Sequence, residues 1–371
     1  MRKIIDECFF QIQNGANIKQ GKVDGGFPIT RIETIANDRF NRDRMGYAGI
    51  TDLSKYESYI LEDEDLLMSH INSMQYLGRT VLYKKQDDEI IIHGMNLLRL
   101  RANRDIIIPG YAKYYFYGHS FRSQLRNIMK KSVNQASFAV KDLKKIKMEI
   151  PCLREQQKLV QVLDKIQKII DVKTKEIAKF DELVSARFVE MFGDPITNSK
   201  LLPIEKIEER YFLKAGITTK AEDIHDYLKD KYEIPCYGGN GIRGYVENLS
   251  YEGCYPIIGR QGALCGNVQY ATGKFHATEH AVLVSILKND NTMWVYYMLK
   301  LMDLYRYHTG AAQPGLAVKK LNTIDVIVAD INLQNQFATF VHQVNKSKFE
   351  VQKSLEKTQL LFDSLMQEYF G

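Results

Sequence analysis

The second half of the chain repeats the first at a shift of 178 residues, and this duplication limits the possible folds more than any other feature of the sequence. The clearest echo sets Asn134-Gln135-Ala136-Ser137-Phe138-Ala139-Val140-Lys141-Asp142-Leu143-Lys144-Lys145-Ile146 against Ala312-Gln313-Pro314-Gly315-Leu316-Ala317-Val318-Lys319-Lys320-Leu321-Asn322-Thr323-Ile324. Gln, Ala, Val, Lys, Leu and Ile recur in register. Glu190-Met191-Phe192-Gly193 is likewise answered by Glu368-Tyr369-Phe370-Gly371, so two complete copies are expected. With 371 residues, each copy has room for its own core.

Each copy carries the pattern of a long amphipathic helix. Steps of four and three residues pick out Leu159, Leu163, Ile166, Ile170, Lys173, Ile177, Phe180, Val184, Arg187 and Met191, eight of them apolar. Adding 178 gives Phe337, Val341, Val344, Lys348, Val351, Leu355, Thr358, Phe362, Leu365 and Tyr369, again with eight apolar. These are heptad seams in one register. No Pro or Gly interrupts them before Gly193 and Gly371, and each predicts a rod of roughly 50 Å at about 1.5 Å per residue. An apolar stripe needs cover, and the matching stripe is the natural partner. Because a globular stretch intervenes, the pairing is expected to be antiparallel.

Outside the helices the pattern is β-like. Short apolar runs such as Asp65–Ser69, Asn96–Leu100, Tyr255–Gly259 and His280–Ile286 lie between Gly- and Asn-rich turns. Weaker echoes link Gly26-Phe27-Pro28-Ile29 with Glu233-Ile234-Pro235-Cys236, and Leu77-Gly78-Arg79 with Cys265-Gly266-Asn267. The expected class is α+β. Two similar globular α/β domains, 1–150 and 195–332, alternate with two long helices, 151–194 and 333–371, paired as an antiparallel coiled coil.

Composition narrows the function. No stretch is apolar enough to span a membrane and the first residues form no signal peptide, so a soluble, cytoplasmic protein is expected. Five scattered cysteines make no disulfide framework. The net charge of +6 is mild, but eight Lys or Arg against one acid, Asp142, lie between Arg122 and Lys147, enough to neutralise several phosphates.

Three catalytic patterns fail on context. Gly239-Asn240-Gly241-Ile242-Arg243-Gly244 has the glycine spacing of a dinucleotide fingerprint, yet Tyr245-Val246-Glu247-Asn248 opens no helix; a turn that lets backbone approach a ligand is the better reading. His276-Ala277-Thr278-Glu279-His280 fits an inverted zinc-protease signature, but Phe275 before it and Ala281–Ile286 after it favour extended chain. Cys254 and Cys265 stand too far apart for a zinc knuckle. No metal site is therefore expected. Phosphate-binding Gly-Lys-Ser loops, methyltransferase Asn-Pro-Pro-aromatic segments and nucleophile elbows are absent from the sequence.

Taken with this layout, Ser185-Ala186-Arg187-Phe188-Val189-Glu190-Met191-Phe192-Gly193-Asp194-Pro195, the helix-opening Glu155-Gln156, Gln313-Pro314 and Tyr237-Gly238-Gly239-Asn240-Gly241-Ile242 resemble the specificity subunits of type I restriction-modification systems. The likeness covers nearly the whole chain. It departs from the pattern where Leu333-Gln334-Asn335-Gln336 stands against Leu153-Arg154-Glu155-Gln156, and loss of the Glu is expected to weaken a helix-opening or partner contact. The resemblance implies a subunit without catalysis of its own. Each recognition domain would read half of a split, asymmetric site in double-stranded DNA, and the helices would act as a ruler of about one to one and a half DNA turns. Two methyltransferase subunits carrying S-adenosylmethionine would dock on it. Separate restriction subunits would use ATP and Mg. A specificity subunit of a related or methylation-only system is the alternative, ahead of an enzyme or a scaffold that never meets DNA.

Base reading calls for side chains with paired donors and acceptors on loops, and phosphate contact for Arg, Lys and small hydroxyls. The first-domain candidates are Arg39, Arg42, Arg44, Tyr47, Ser69, His70, Asn72, Ser73, Arg79, Lys130, Lys131, Asn134, Gln135 and Ser137. In the second domain they are Tyr237, Asn240, Tyr245, Arg260, Gln261, His276 and Gln313.

Overall fold

The computed structural model describes residues 1–21, 25–228, 232–310 and 314–371. The β-like runs become strands: Leu66–Ser69, Leu97–Ala102, Tyr251–Gly259 and Ala281–Ile286. The heptad stretches become two helices of 40 residues each, Leu153–Phe192 and Ile331–Phe370. Contacts gather the chain into two units, Met1–Val172 with Ser354–Gly371, and Lys173–Lys353. The division falls inside both long helices, so each contributes one end to each unit.

In the first unit, an antiparallel sheet runs in the order Phe9–Asn14, Leu97–Ala102, Leu66–Ser69, Thr80–Leu82. Helices Pro109–Tyr117 and His119–Ile128 supply Phe116 and Phe121 to a core with Leu66, Met68, Leu98 and Leu100. The same core takes Val160 and Leu163 from the start of the first long helix and Phe370 from the end of the second, with Leu159, Phe362 and Leu365 packed partly buried against it. Gln167 and Asp171 face Phe362 and Met366 across one groove, as antiparallel helices require.

The second unit has six strands in the order Tyr211–Ala215, Ala281–Ile286, Tyr251–Gly259, Val268–Ala277, Ile234–Gly238, Gly241–Val246. Helix Thr292–Leu301 buries Trp294 against Phe188 and Phe192 of the first long helix, and Phe337 of the second stands edge-on to both phenylalanines. Asp181 pairs with Lys348 at 2.6 Å, and Arg187 lies over Phe340. Partners descend along one helix as they ascend the other, so these halves too are antiparallel.

The heptad frame holds best in the first half of each helix, loosens in the middle and slips at the C-terminal end. Leu163, Ile166, Ile170, Val184, Phe337, Val341 and Val344 are buried, while Ile177, Phe180, Met191, Val351 and Leu355 are half-buried. Tyr369, expected in the seam, is 51% exposed, and its neighbour Phe370 is buried in its place. Likewise Phe188 and Phe192 are buried where the frame expects Arg187 and Met191. A straight helix turns every 3.6 residues, so a strict 3.5 frame drifts about 20° per heptad and the buried face moves by one position.

The duplication extends to single hydrogen bonds. Gln156 and Gln334, 178 apart, are both fully buried. Gln156 accepts from the Ile108 amide and donates to the Ile106 and Pro151 carbonyls; Gln334 accepts from the Asn291 amide and donates to Ala329 O and Asp290. This corrects the alignment of the helix openings, because the counterpart of Glu155 is Leu333 and the match to Gln336 is abandoned. The lost Glu is also replaced. Glu155 accepts from the Cys152 amide, whereas Asp330 caps the second helix by accepting from the Asn332 amide at 2.9 Å.

Candidate nucleic-acid interface

In the first unit, strands Lys130–Lys131 and Ala136–Ser137 form a hairpin, and Ile71–Asn72 pairs with its second strand. Phe138, buried in the core, donates its amide to His70 O and ties the sheet down. Beside it the segment from Ser69 to Arg79 closes on itself: Ser69 N donates to Arg79 O, and Gly78 N to Ser69 O. Gly78 has φ +73, and a Cβ there would lie 2.5 Å from Leu125, so only glycine fits.

The second unit builds the same device from different residues. Gly259 N donates to Asn267 O, Gly266 N to Gly259 O, and Leu316 N to Arg260 O. Gly315 bridges to Gln261 and to Thr309 as Ser137 pairs with Ile71 and Lys130. Gly266 has φ +82 and no room for a Cβ against Tyr305. The sequence echo of Leu77-Gly78-Arg79 with Cys265-Gly266-Asn267 is thus one backbone loop made twice, and His70 is the counterpart of Arg260. The other echo also holds: Ile29 and Cys236 each make a parallel bridge, to Ile92 and His276.

The loops differ in what they display. The second unit opens a groove of about 550 Å³ between the tight hairpin turn Gly238–Gly241 and Gln261–Leu264, lined also by Ile242, Arg243 and His280. Neither Arg243 nor Arg260 has an ion pair or side-chain hydrogen bond among the described residues. In the first unit the place of that turn is taken by residues 31–45, a longer excursion between Pro28–Ile29 and Gly46–Tyr47.

The structure brings His70, Asn72, Ser73, Lys130, Lys131, Asn134, Gln135 and Ser137 together on the first small sheet and its turns. Burial lowers the His70 pKa below that of a free imidazole. Asn240 and Gln261 line the second groove, where Asn240 accepts from Asn267, and Arg260 precedes Gln261 in the chain.

Other candidates are engaged elsewhere. Ser69 is fully buried and donates to Tyr76 O at 2.6 Å, and His276 is buried with ring nitrogens on Thr219 and Ser250, so neither presents a free side chain at the surface. Arg42 forks onto Glu89 and donates to Lys84 O, holding that carboxyl well below its usual range. Arg39 pairs with Asp171 at 2.7 Å. Arg79 pairs with Asp38 at 3.0 Å and lies over the Tyr76 ring, bracing the loop from behind. Tyr47 and Tyr245 are half-buried strand residues, and Tyr237 packs edge-on against Phe275. Arg44 is exposed on the 31–45 excursion, away from the small sheet's pairings. Gln313 lies outside the described residues.

The Arg122–Lys147 charge is likewise divided. Arg122 is tied to Leu77 O and Lys144 to Asp6, whereas Lys130 and Lys131 stand exposed. Sequence reasoning passed over Arg243, although Gly239–Gly244 already marked a turn built for close approach. Among the described residues no group of three or more His, Cys, Asp or Glu is placed to hold a metal ion, and no helix is long and apolar enough to cross a membrane.

Comparison with known proteins settles the family. A family model for the type I restriction modification DNA specificity domain matches residues 7–181 and 213–360. The chain belongs to the type I restriction-modification specificity family. It is 35% identical over 251 residues to the type I restriction enzyme EcoprrI specificity subunit of Escherichia coli, across 62% of this chain and 60% of that protein. It is 32% identical over 198 residues to the MjaX specificity subunit of Methanocaldococcus jannaschii, across 53% and 46%. The chain thus spans about half of the length of the curated relatives it matches. The fold of the type I specificity family is also that of the S subunit from M. genitalium, with a TM-score of 0.64 at 15% identity over 100% of this chain and 96% of that one.

Proposed function

We propose that this chain is the DNA-recognising subunit of a type I restriction-modification complex, reading a bipartite and asymmetric site with one half assigned to each unit. The observation that carries this reading is the loop device built twice on the same backbone hydrogen bonds but with different side chains, Ile71, Asn72 and Lys130 in one and Gln261, Gly262 and Thr309 in the other. Equal frames with unequal faces suit a protein that must read two unlike half-sites, since a symmetric reader is restricted to palindromes. Exposed Lys130, Lys131 and Arg243 supply phosphate contact, and Asn72, Asn134, Gln261 and Arg260 supply the donor and acceptor pairs that read base edges.

In this reading the chain performs no catalysis. Two methyltransferase subunits bind S-adenosylmethionine and transfer the methyl group, and restriction subunits contribute ATP- and Mg-dependent cleavage. The long helices act as spacer and docking rods. The test is to co-express the chain with its methyltransferase, map methylated positions, and compare Arg260→Ala. Loss of about 1 to 3 kcal/mol on the cognate duplex, with relaxed choice in one half-site only, is expected. Uniform weakening on every sequence would reduce Arg260 to a phosphate contact, and a complex without sequence preference would end the proposal.

A further inference from the structure

Val133 is 98% exposed, more than any other large apolar residue of the described chain. It sits at the tip of the Lys130–Ser137 hairpin, and that tip is well held. The Ser132 amide and hydroxyl both donate to Gln135 O, at 2.8 and 2.9 Å. Behind them, Lys131 pairs with Ala136 and Ala136 with Asn72, and Ala136 and Phe138 are buried. Turn tips favour Gly, Asn, Asp and Ser, which supply left-handed backbone or a local side-chain bond; a β-branched residue supplies neither. Val133 is therefore an uncommon residue for a turn tip, and departures from local preference gather at functional positions. It has Asn134 beside it and two exposed lysines at the base of the turn.

We propose that Val133 packs on the C5 methyl group of a thymine in the major groove, and that the Val133-Asn134 tip reads an A·T pair. The inference rests on the DNA-reading function above and adds a base identity to it. Three features support it. Thymine is the only standard base that offers an apolar group to the major groove, and Asn is the side chain whose amide matches the adenine edge. Lys130 and Lys131 are placed to hold the flanking phosphates without taking part in base choice. A braced turn loses little freedom on contact, so even a methyl-sized gain is retained as discrimination.

The experiment uses the full chain with its methyltransferase subunits on a duplex carrying the mapped site, with each thymine in turn replaced by deoxyuridine, which lacks only the methyl. Wild-type protein is expected to bind about fourfold more weakly at one position of one half-site, the change that follows from losing one buried methyl-sized group. Val133→Ser should bind the unmodified site about fourfold more weakly and become indifferent to that replacement, while Val133→Ile restores the sensitivity. Because the side chain is solvent-exposed, neither variant endangers folding. If wild type ignores every deoxyuridine, or Val133→Ser keeps the wild-type profile, the inference is overturned while the reading function stands. A wild-type complex that does not prefer its site over a scrambled duplex would overturn both, and is seen before any variant is made.

Discussion

Two buried polar residues show how much of the first unit rests on single side chains. Gln156 holds three backbone groups where the long helix meets the core, through bonds of 2.8 to 3.0 Å. Gln156→Leu keeps the volume but leaves those groups dry and unpaired, so a loss of about 1 to 3 kcal/mol is expected in urea denaturation. His93 is fully buried, with Nε2 on Leu97 O at 2.9 Å. Burial first, and the nearby Arg99 charge next, hold its pKa down to about 3 against an ordinary 6.5. The unfolded chain therefore binds one more proton than the folded chain between those values, and stability falls as pH drops from 6.5 towards 3. His93→Leu should flatten that limb by about one proton, read as the slope of unfolding free energy against pH. Neither residue was legible as a structural anchor. A lone Gln or His carries no periodicity; Gln156 finds its partners Ile106 and Ile108 about 50 residues away, and His93 owes its role to burial, which the residue type does not announce.

At the scale of elements, the helices were the most legible part of the sequence and their ends the least. Seam positions in the first half of each helix obey the heptad frame, but Tyr369 is exposed and Phe370 buried, because drift over 40 residues outweighs the register set at the start. Phe370→Ala should cost about 3 to 5 kcal/mol, since its ring packs on Tyr111 and Tyr115 and no solvent-facing group can fill the space. Tyr369→Ala should stay within about 0.5 kcal/mol; equal losses in chemical denaturation would contradict the shifted face. Exposure was legible where a polar residue lies on a turn of the repeat, as with Asn134, Gln135 and Gln261. Arg39, Arg42 and Arg79 were not separable from them, because a basic residue on a loop gives no sign of the acid that will claim it from distant sequence.

For the whole molecule, the repeat made the duplicated α+β architecture readable, but not how the chain is partitioned. Sequence order suggests globule, rod, globule, rod. Contacts instead gather residues 354–371 with residues 1–172, since a helix serves whichever core its apolar face reaches and its place in the chain is no guide. Deleting residues 354–371 removes Phe362, Leu365, Met366 and Phe370 from the first core and none from the second. Hydrogen exchange should then speed up in strands Leu66–Ser69 and Leu97–Ala102 while Ala281–Ile286 stays protected. Uniform loss of protection would show that the units do not fold separately.

That partition sets a timetable for synthesis. A ribosome delivers Lys173–Lys353 as an uninterrupted stretch, whereas the unit containing Met1 must wait for the final turns of the last helix before its core can close. Of the two units, the one whose strands emerge earlier is completed later, because its core lacks Phe362, Leu365 and Phe370 until residues 354–371 have followed the whole of the other unit.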